Sequence, residues 1–160
     1  MRNPISDYEI REKVVIDPTE YIEQEENSKE TPYHFGIRWE GNKKKASVVT
    51  VLDLDGFKSA LKKNGKKGKK LKNGMDDPRT PRSFTAEDSE TFVPILALEC
   101  RGVEPYAFHP MGGEFIVESE GGMVFEGEDV DLSDGDWADY DGDNDLSVSI
   151  SEFESKFESL

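Results

Sequence analysis

Four carboxylates near the end of the chain have the spacing of a metal-binding loop. Asp141, Asp143 and Asp145 alternate along a short segment, and Glu152 is the twelfth residue counted from Asp141. Oxygen ligands at positions 1, 3, 5 and 12 surround calcium in an EF-hand. However, Leu146 takes the sixth position, where the loop needs glycine, and the preceding residues lack the apolar periodicity of an entering helix. The spacing predicts a weak calcium-binding module or a solvated acidic turn, of which the turn is favoured.

A lysine-rich loop, residues 58–74, could contact nucleic acid or a partner. Eleven lysines and two acidic residues lie between residues 43 and 72. Lysines bind phosphates or form a nuclear address, but no aromatic residue between 58 and 72 could stack on a base. Three interpretations stay open: a solvated loop, a nucleic-acid or localisation contact, and docking on an acidic protein surface. Seven of these lysines are the candidate contact residues: Lys62, Lys63, Lys66, Lys67, Lys69, Lys70 and Lys72.

Residue types that catalyse reactions or bind zinc are few and scattered. Cys100 is the only cysteine, which excludes an internal disulfide and any multi-cysteine zinc site. It ends an apolar run, as is typical of a buried thiol. His34 lies in a predicted strand and His109 precedes a proline, and neither is next to a nucleophile pattern. We therefore expect no enzyme activity, no catalytic residues and no cofactor.

Trp137 and Tyr140 form an aromatic pair among acidic residues. Their neighbours are Asp136, Asp139 and Asp141. Aromatic residues in such surroundings are typical of an interface anchor. The same two residues could instead plug the core of the second half of the chain, and this interpretation is favoured over the anchor.

Charge is distributed unevenly along the chain. The net charge is −15, and seventeen acidic residues but only one lysine lie between residues 104 and 160, so a basic island precedes an acidic half. No apolar run approaches the roughly 18 residues of a membrane span, and the start lacks a signal-peptide pattern. The composition predicts a soluble protein of the nucleus or cytoplasm, with a protein partner and no membrane contact.

Short strands are predicted to position these residues. Alternating or continuous apolar residues mark strands at 8–16, 33–39, 46–54, 92–100, 115–117, 123–125 and 146–150. Ser151 and Glu154 have the spacing of a capping box, which allows a short C-terminal helix. The pattern predicts an all-β fold of two related β halves, sandwich or open-barrel-like, in one compact unit. Residues 1–7 are expected to be disordered, 8–82 to form the first half, and 83–160 the acidic second half.

Several short motifs between residues 84 and 157 occur in a recognisable order. They are Phe84-Thr85-Ala86-Glu87-Asp88, Glu99-Cys100-Arg101-Gly102-Val103-Glu104-Pro105, Phe108-His109-Pro110, Glu118-Ser119, Phe125, Asp136-Trp137-Ala138-Asp139-Tyr140-Asp141 and Ser147-Val148-Ser149-Ile150. Their order and spacing resemble the eukaryotic CXXC-motif-containing zinc-binding proteins, a family formerly catalogued as a domain of unknown function.

The resemblance implies an all-β protein of two related halves, with zinc held by two CxxC pairs in the first half. In this chain Trp39 and Asn42 stand where the first pair would fall, and the second would fall near residues 69–73, which are lysine, leucine and asparagine. Zinc needs about four cysteine, histidine or carboxylate ligands. We therefore expect the zinc site to be lost and the bulk of Trp39 to replace the metal by packing.

These patterns together predict a non-enzymatic binding or scaffold protein that acts through protein–protein contacts. The alternative is a nuclear factor that associates with RNA or DNA through the lysine-rich loop. A third interpretation is a calcium-binding module at the acidic loop formed by residues 141–152.

Overall fold

The computed structural model of the chain describes residues 1–23, 31–41, 45–63 and 77–160. Strands in the described residues form four small antiparallel sheets, and these residues contain one α-helix, so the prediction of an all-β fold is confirmed. No helix in the described ranges is long and apolar enough to cross a membrane. The chain divides into two compact units, Met1–Glu104 (unit 1) and Pro105–Leu160 (unit 2).

Unit 1 begins with a hairpin of β1 (Arg2–Asn3) and β2 (Ser6–Ile10). The predicted disorder of residues 1–7 is therefore wrong. The backbone of Arg2 donates to and accepts from that of Glu104, at N···O distances of 2.8 and 2.9 Å, and its guanidinium pairs with the Glu104 carboxylate at 3.0 Å. These bonds satisfy the polar backbone of β1 on the side away from β2, and this order is not visible in local sequence.

A three-stranded sheet forms the centre of unit 1. Its order is β3 (Phe35–Ile37), β4 (Ser47–Leu52) and β5 (Ala97–Arg101). The strand β4 is central, as its apolar residues on both faces predict. Because β5 pairs with β4 along its whole length, the first unit extends to residue 104 and not to residue 82, where the first half was predicted to end.

Helix α1 spans Leu54–Lys63 and corrects the predicted start of the lysine-rich loop, because residues 58–63 are helical. Phe57 and Leu61, four residues apart, are buried on one face of the helix. The Asp53 carboxylate accepts from the Gly56 amide at 2.7 Å, which caps the first turn. Residues 64–76, which hold most of the predicted loop, lie outside the described residues.

Unit 2 consists of two hairpins. The first joins β6 (Val117–Glu118) to β7 (Val124–Phe125), and the second joins β8 (Trp137–Asp141) to β9 (Leu146–Ile150). The last strand has the predicted bounds.

The predicted C-terminal helix is wrong, because the residues after β9 bond back to an earlier turn. The backbone of Glu152 has a φ of 55°, which is incompatible with a right-handed helix. Its amide donates to the Asp136 carboxylate at 2.9 Å, and the Phe153 amide donates to the Gly135 carbonyl at 2.8 Å. The amides of a first helical turn are thus bonded to residues of another segment.

Each unit has its own apolar core. The described part of unit 1 has two clusters of buried residues, the first of Trp39, Val49 and Val103 and the second of Phe57, Leu61 and Ala97. The core of unit 2 consists of Phe125, Val130, Leu132 and Trp137.

Candidate functional site

The predicted calcium loop is the connection of a β-hairpin. Asp141 ends β8 and is fully buried, and residues 142–145 turn the chain into β9. The Asp141 carboxylate accepts from the Ser119 hydroxyl at 2.5 Å, from the Asn144 side-chain amide at 3.0 Å, and from the Asp143 and Asn144 backbone amides at 3.1 Å. These bonds, that of Ser119 first, lower the pKa of Asp141. The carboxylate therefore holds the turn together through N–H and O–H groups.

The other three predicted calcium ligands, Asp143, Asp145 and Glu152, do not share the contacts of the Asp141 carboxylate. The Asp145 carboxylate accepts from the Tyr140 hydroxyl, which raises the pKa of the phenol. Asp143 is exposed, and Glu152 follows β9 with its amide bonded to Asp136. Across the described ranges, no three His, Cys, Asp or Glu side chains are grouped so that they could hold a metal.

The aromatic pair divides between core and surface. Trp137 is only 9% exposed and packs edge-on against Phe125, with the two ring centroids 5.3 Å apart. Its indole N–H donates to the Asp129 carbonyl at an N···O distance of 2.6 Å. Tyr140 lies on the same strand and is 51% exposed. Only Tyr140 is accessible to a partner, since Trp137 fills the core of unit 2.

The candidate lysines are described in part. Lys62 and Lys63 are exposed in the last turn of α1, where cations are favourable beside the negative end of the helix dipole. The other five, Lys66, Lys67, Lys69, Lys70 and Lys72, lie outside the described residues, as do Asn42 and the 69–73 segment.

Cys100 lies on β5 opposite Val49 and packs against the cluster around Trp39. Burial, together with the nearby Glu99 and Glu104 carboxylates, raises the pKa of the Cys100 thiol to about 11. The thiol is therefore protonated at neutral pH, whereas nucleophilic attack and metal binding both need the thiolate.

His34 is a buried packing residue, and His109 is exposed. The Val51 amide donates to His34 Nδ1 at 2.9 Å, so the neutral ring carries its proton on Nε2. Among the described residues, Nε2 has no hydrogen-bond partner. The ring lies against Tyr21, with the two centroids 4.2 Å apart. A protonated Nε2 offers no lone pair to a metal or to a substrate proton.

The N-terminal hairpin carries a feature that the sequence analysis did not identify. Tyr8 and Ile5 are 97% and 91% exposed and are the two most exposed large apolar side chains of the described residues. Ile10, in the same phase of β2 as Tyr8, is 51% exposed. We call Ile5, Tyr8 and Ile10 the hairpin surface.

Polar residues hold the hairpin from its other side. The Glu9 carboxylate accepts from the Glu40 amide at 2.8 Å and from the side-chain amide of Asn3, which is 8% exposed. The usual arrangement of a half-buried strand, with apolar residues inward, is therefore reversed in β2. The alternation of Tyr8 and Ile10 could not reveal this, because a period of two does not say which face is buried.

Comparison with known sequences identifies relatives. A UPF0587 protein of Drosophila melanogaster is 49% identical over 74 residues, which are 46% of this chain and 44% of the fly protein. A CXXC motif containing zinc binding protein of Rattus norvegicus is 42% identical over 78 residues, 49% of this chain and 48% of the rat protein. The chain thus spans about half the length of the curated relatives it matches.

Two solved structures share the fold. A hypothetical protein from Plasmodium falciparum superposes with a TM-score of 0.68 at 24% identity, covering 94% of this chain and 77% of that one. The crystal structure of C1orf123 superposes with a TM-score of 0.60, also at 24% identity, over 90% of this chain and 72% of that one.

The sequence model described as "CXXC motif containing zinc binding protein, eukaryotic" matches residues 3–158. This match extends over nearly the whole chain and confirms the resemblance seen in the motifs. The chain therefore belongs to the eukaryotic family of CXXC motif containing zinc binding proteins.

Proposed function

We propose that this chain is a non-enzymatic scaffold protein that acts through protein–protein contacts in the nucleus or cytoplasm. The observation that carries the proposal is the hairpin surface. Single exposed apolar residues are common on proteins, but Ile5, Tyr8 and Ile10 are exposed together on one hairpin whose other side is polar. Such a surface is typical of a site that a partner covers.

The backbone of β2 gives the partner a second means of binding. In the described residues β2 pairs with β1 alone, so its other edge has backbone groups available for a further strand. An extended segment of a partner protein could add to this edge and cover Tyr8 and Ile10 with its own apolar side chains. We propose this segment as the occupant of the hairpin surface.

Hydrogen bonds from both ends of the hairpin order it before a partner binds. Arg2 bonds to Glu104 through backbone and side chain, and Glu9 bonds to Glu40 and Asn3. A surface that is ordered before binding loses less conformational freedom on association.

Two carboxylates of unit 1 have pKa values that are lowered by a neighbouring arginine, a structural cause that is compatible with a non-enzymatic role. Arg79 lowers the pKa of Asp77 to about 2 through a hydrogen bond, and Arg82 lowers the pKa of Asp88 in the same way. Each carboxylate lies within six residues of its arginine in the chain. These ion pairs stabilise local turns at the surface.

The test is capture of partners by the full chain with and without the hairpin surface. A double variant, Ile5→Ser with Tyr8→Ser, is expected to recover its partner about tenfold less than the unchanged chain, since buried aromatic anchors dominate binding energies. The matched control is Ile116→Ser, because Ile116 is 72% exposed on unit 2. Equal recovery by the double variant and the control would refute the proposal.

A cross-linking experiment identifies the mode of binding. With a photoreactive residue in place of Tyr8, the captured partner is expected to be labelled within one extended segment of its chain. Cross-linking to RNA or DNA that persists in about 150 mM salt would instead favour the alternative of a nuclear factor that associates with nucleic acid.

A further inference from the structure

The family description names zinc and a CXXC motif, but the single cysteine and the described histidine and carboxylate groups do not fit a zinc site. The sequence contains one cysteine, so it has no CXXC pair. The Cys100 thiol has a pKa of about 11, and His34 presents a protonated Nε2. Structural zinc is bound by deprotonated ligands, almost always four in number.

The indole side chain of Trp39 is buried in the core of unit 1. Trp39 is 6% exposed and packs with Val49 and Val103, which are 0% and 4% exposed. Its Nε1 donates to the Gly102 carbonyl at 2.9 Å, which joins two segments 63 residues apart in sequence. The buried polar atom of the indole is therefore satisfied, as a dry core requires.

Gly102 allows this close approach. Its φ is +72°, in the left-handed region, and a Cβ at this position would lie 2.6 Å from the Ser47 hydroxyl. A larger residue would move the chain after β5 away from β4 and displace the carbonyl that Trp39 binds. Trp39, Gly102 and Ser47 thus define one closely packed junction, which we call the tryptophan clamp.

We infer that unit 1 folds without zinc, and that the tryptophan clamp supplies the cross-link between distant segments that a metal would otherwise supply. A structural metal stabilises a small domain by tying together segments that are far apart in sequence. A buried tryptophan with a satisfied N–H does the same through apolar area and one hydrogen bond. This inference is independent of the proposed function, because it concerns the folding of unit 1 and no partner.

Metal content is the first test. The full chain is incubated with zinc, desalted and measured by elemental analysis, and zinc far below one ion per chain is expected. About one zinc per chain after desalting would overturn the inference.

Sensitivity to a chelator is the second test. The sequence has two tryptophans, so in a Trp137→Phe variant the fluorescence of Trp39 reports on unit 1 alone. We expect its thermal midpoint to be the same with and without EDTA. A midpoint lowered by EDTA and restored by zinc would overturn the inference.

The clamp itself is tested by substitution, with unfolding followed by circular dichroism. Trp39→Ala is expected to lower the thermal midpoint by about 10 °C, since it removes a large buried side chain. Trp39→Phe, which keeps much of the packing but loses the bond to Gly102, is expected to lower it less, and added zinc should restore neither variant. An unchanged midpoint in both variants would refute the clamp, and if Trp39→Ala does not fold, Trp39→Phe and the chelator test still decide.

Discussion

The two units differ in whether arginine helps to hold their carboxylates, although carboxylates of both accept hydrogen bonds from N–H and O–H groups. Unit 1 pairs several with arginine: Asp77 with Arg79 and Asp88 with Arg82, each at 2.6 Å, and Glu104 with Arg2 at 3.0 Å. Unit 2 contains Lys156 as its only Lys or Arg, and its described ion pair joins this lysine to Glu158.

The carboxylates of unit 2 rely mainly on N–H and O–H groups as donors. Asp131 accepts from the Ser133 amide at 2.9 Å, Asp136 from the Glu152 amide at 2.9 Å, and Asp141 from four donor groups around it. Neutral donors hold a carboxylate in place without cancelling its charge. The comparison shows that a strongly acidic unit can be ordered without cations, provided that its carboxylates terminate turns and hairpins.

The largest effect that tests this comparison is expected at Asp141. Replacing it by asparagine turns one acceptor oxygen into a donor that faces the Ser119 hydroxyl and the Asn144 amide. We expect the thermal midpoint to fall by about 5 °C, because buried donors lose their acceptor. Asp143→Asn is the matched control, since Asp143 is an exposed residue of the same turn. Equal midpoints for the two variants would show that Asp141 does not order unit 2, and a rise with micromolar calcium would favour the calcium-binding alternative.

Acid is expected to act on both units with the same sign. The pKa values of Asp77, Asp131 and Asp141 are lowered in the folded chain. A carboxylate whose pKa is lowered by folding stabilises the fold at pH values above its unfolded pKa, near 3.8. This stabilisation is lost as pH falls through the pKa of the folded state. We expect the free energy of unfolding, measured by denaturant titration, to fall below about pH 4. Asp141→Asn should show a shallower fall, and a stability that rises on acidification would contradict the assignment.

The smallest effect is expected for an arginine pair of unit 1. Asp88→Asn removes the ion pair with Arg82, whose side chain is 52% exposed, while the asparagine oxygen can still accept from Thr85. A pair with one exposed partner contributes little because water and salt screen it. We expect the thermal midpoint to fall by no more than about 2 °C, and the difference from the unchanged chain to vanish in molar salt. A loss as large as that of Asp141→Asn would remove the distinction between the two units.

Much of the fold was predictable where one pattern dominated locally. The apolar residues on both faces of β4 predicted a central strand, and the alternation in Leu146–Ile150 predicted β9. Prediction failed where a distant residue decided the outcome. Residues 1–7 are ordered by Glu104, and the helix expected after β9 is replaced by bonds to Gly135 and Asp136.

The candidate site was less predictable than the fold. The sequence pointed to Trp137 as an interface anchor or core plug and to Asp141 as a calcium ligand, but it did not show their burial, which depends on Phe125 and Ser119 in the other hairpin of unit 2. The hairpin surface could not be foreseen, because the phase of β2 is set by the bond between Glu9 and Glu40.

By itself, the sequence determined the family, the separation of basic and acidic segments, and the presence of one cysteine, since these depend only on residue identity and order. Only the tertiary structure decided which face of β2 is buried, that the Asp141 carboxylate is occupied by hydrogen bonds within the protein, and what Trp39 contacts. The physical reason is that burial and hydrogen bonding depend on groups brought together from distant positions, and local periodicity carries no information about those partners.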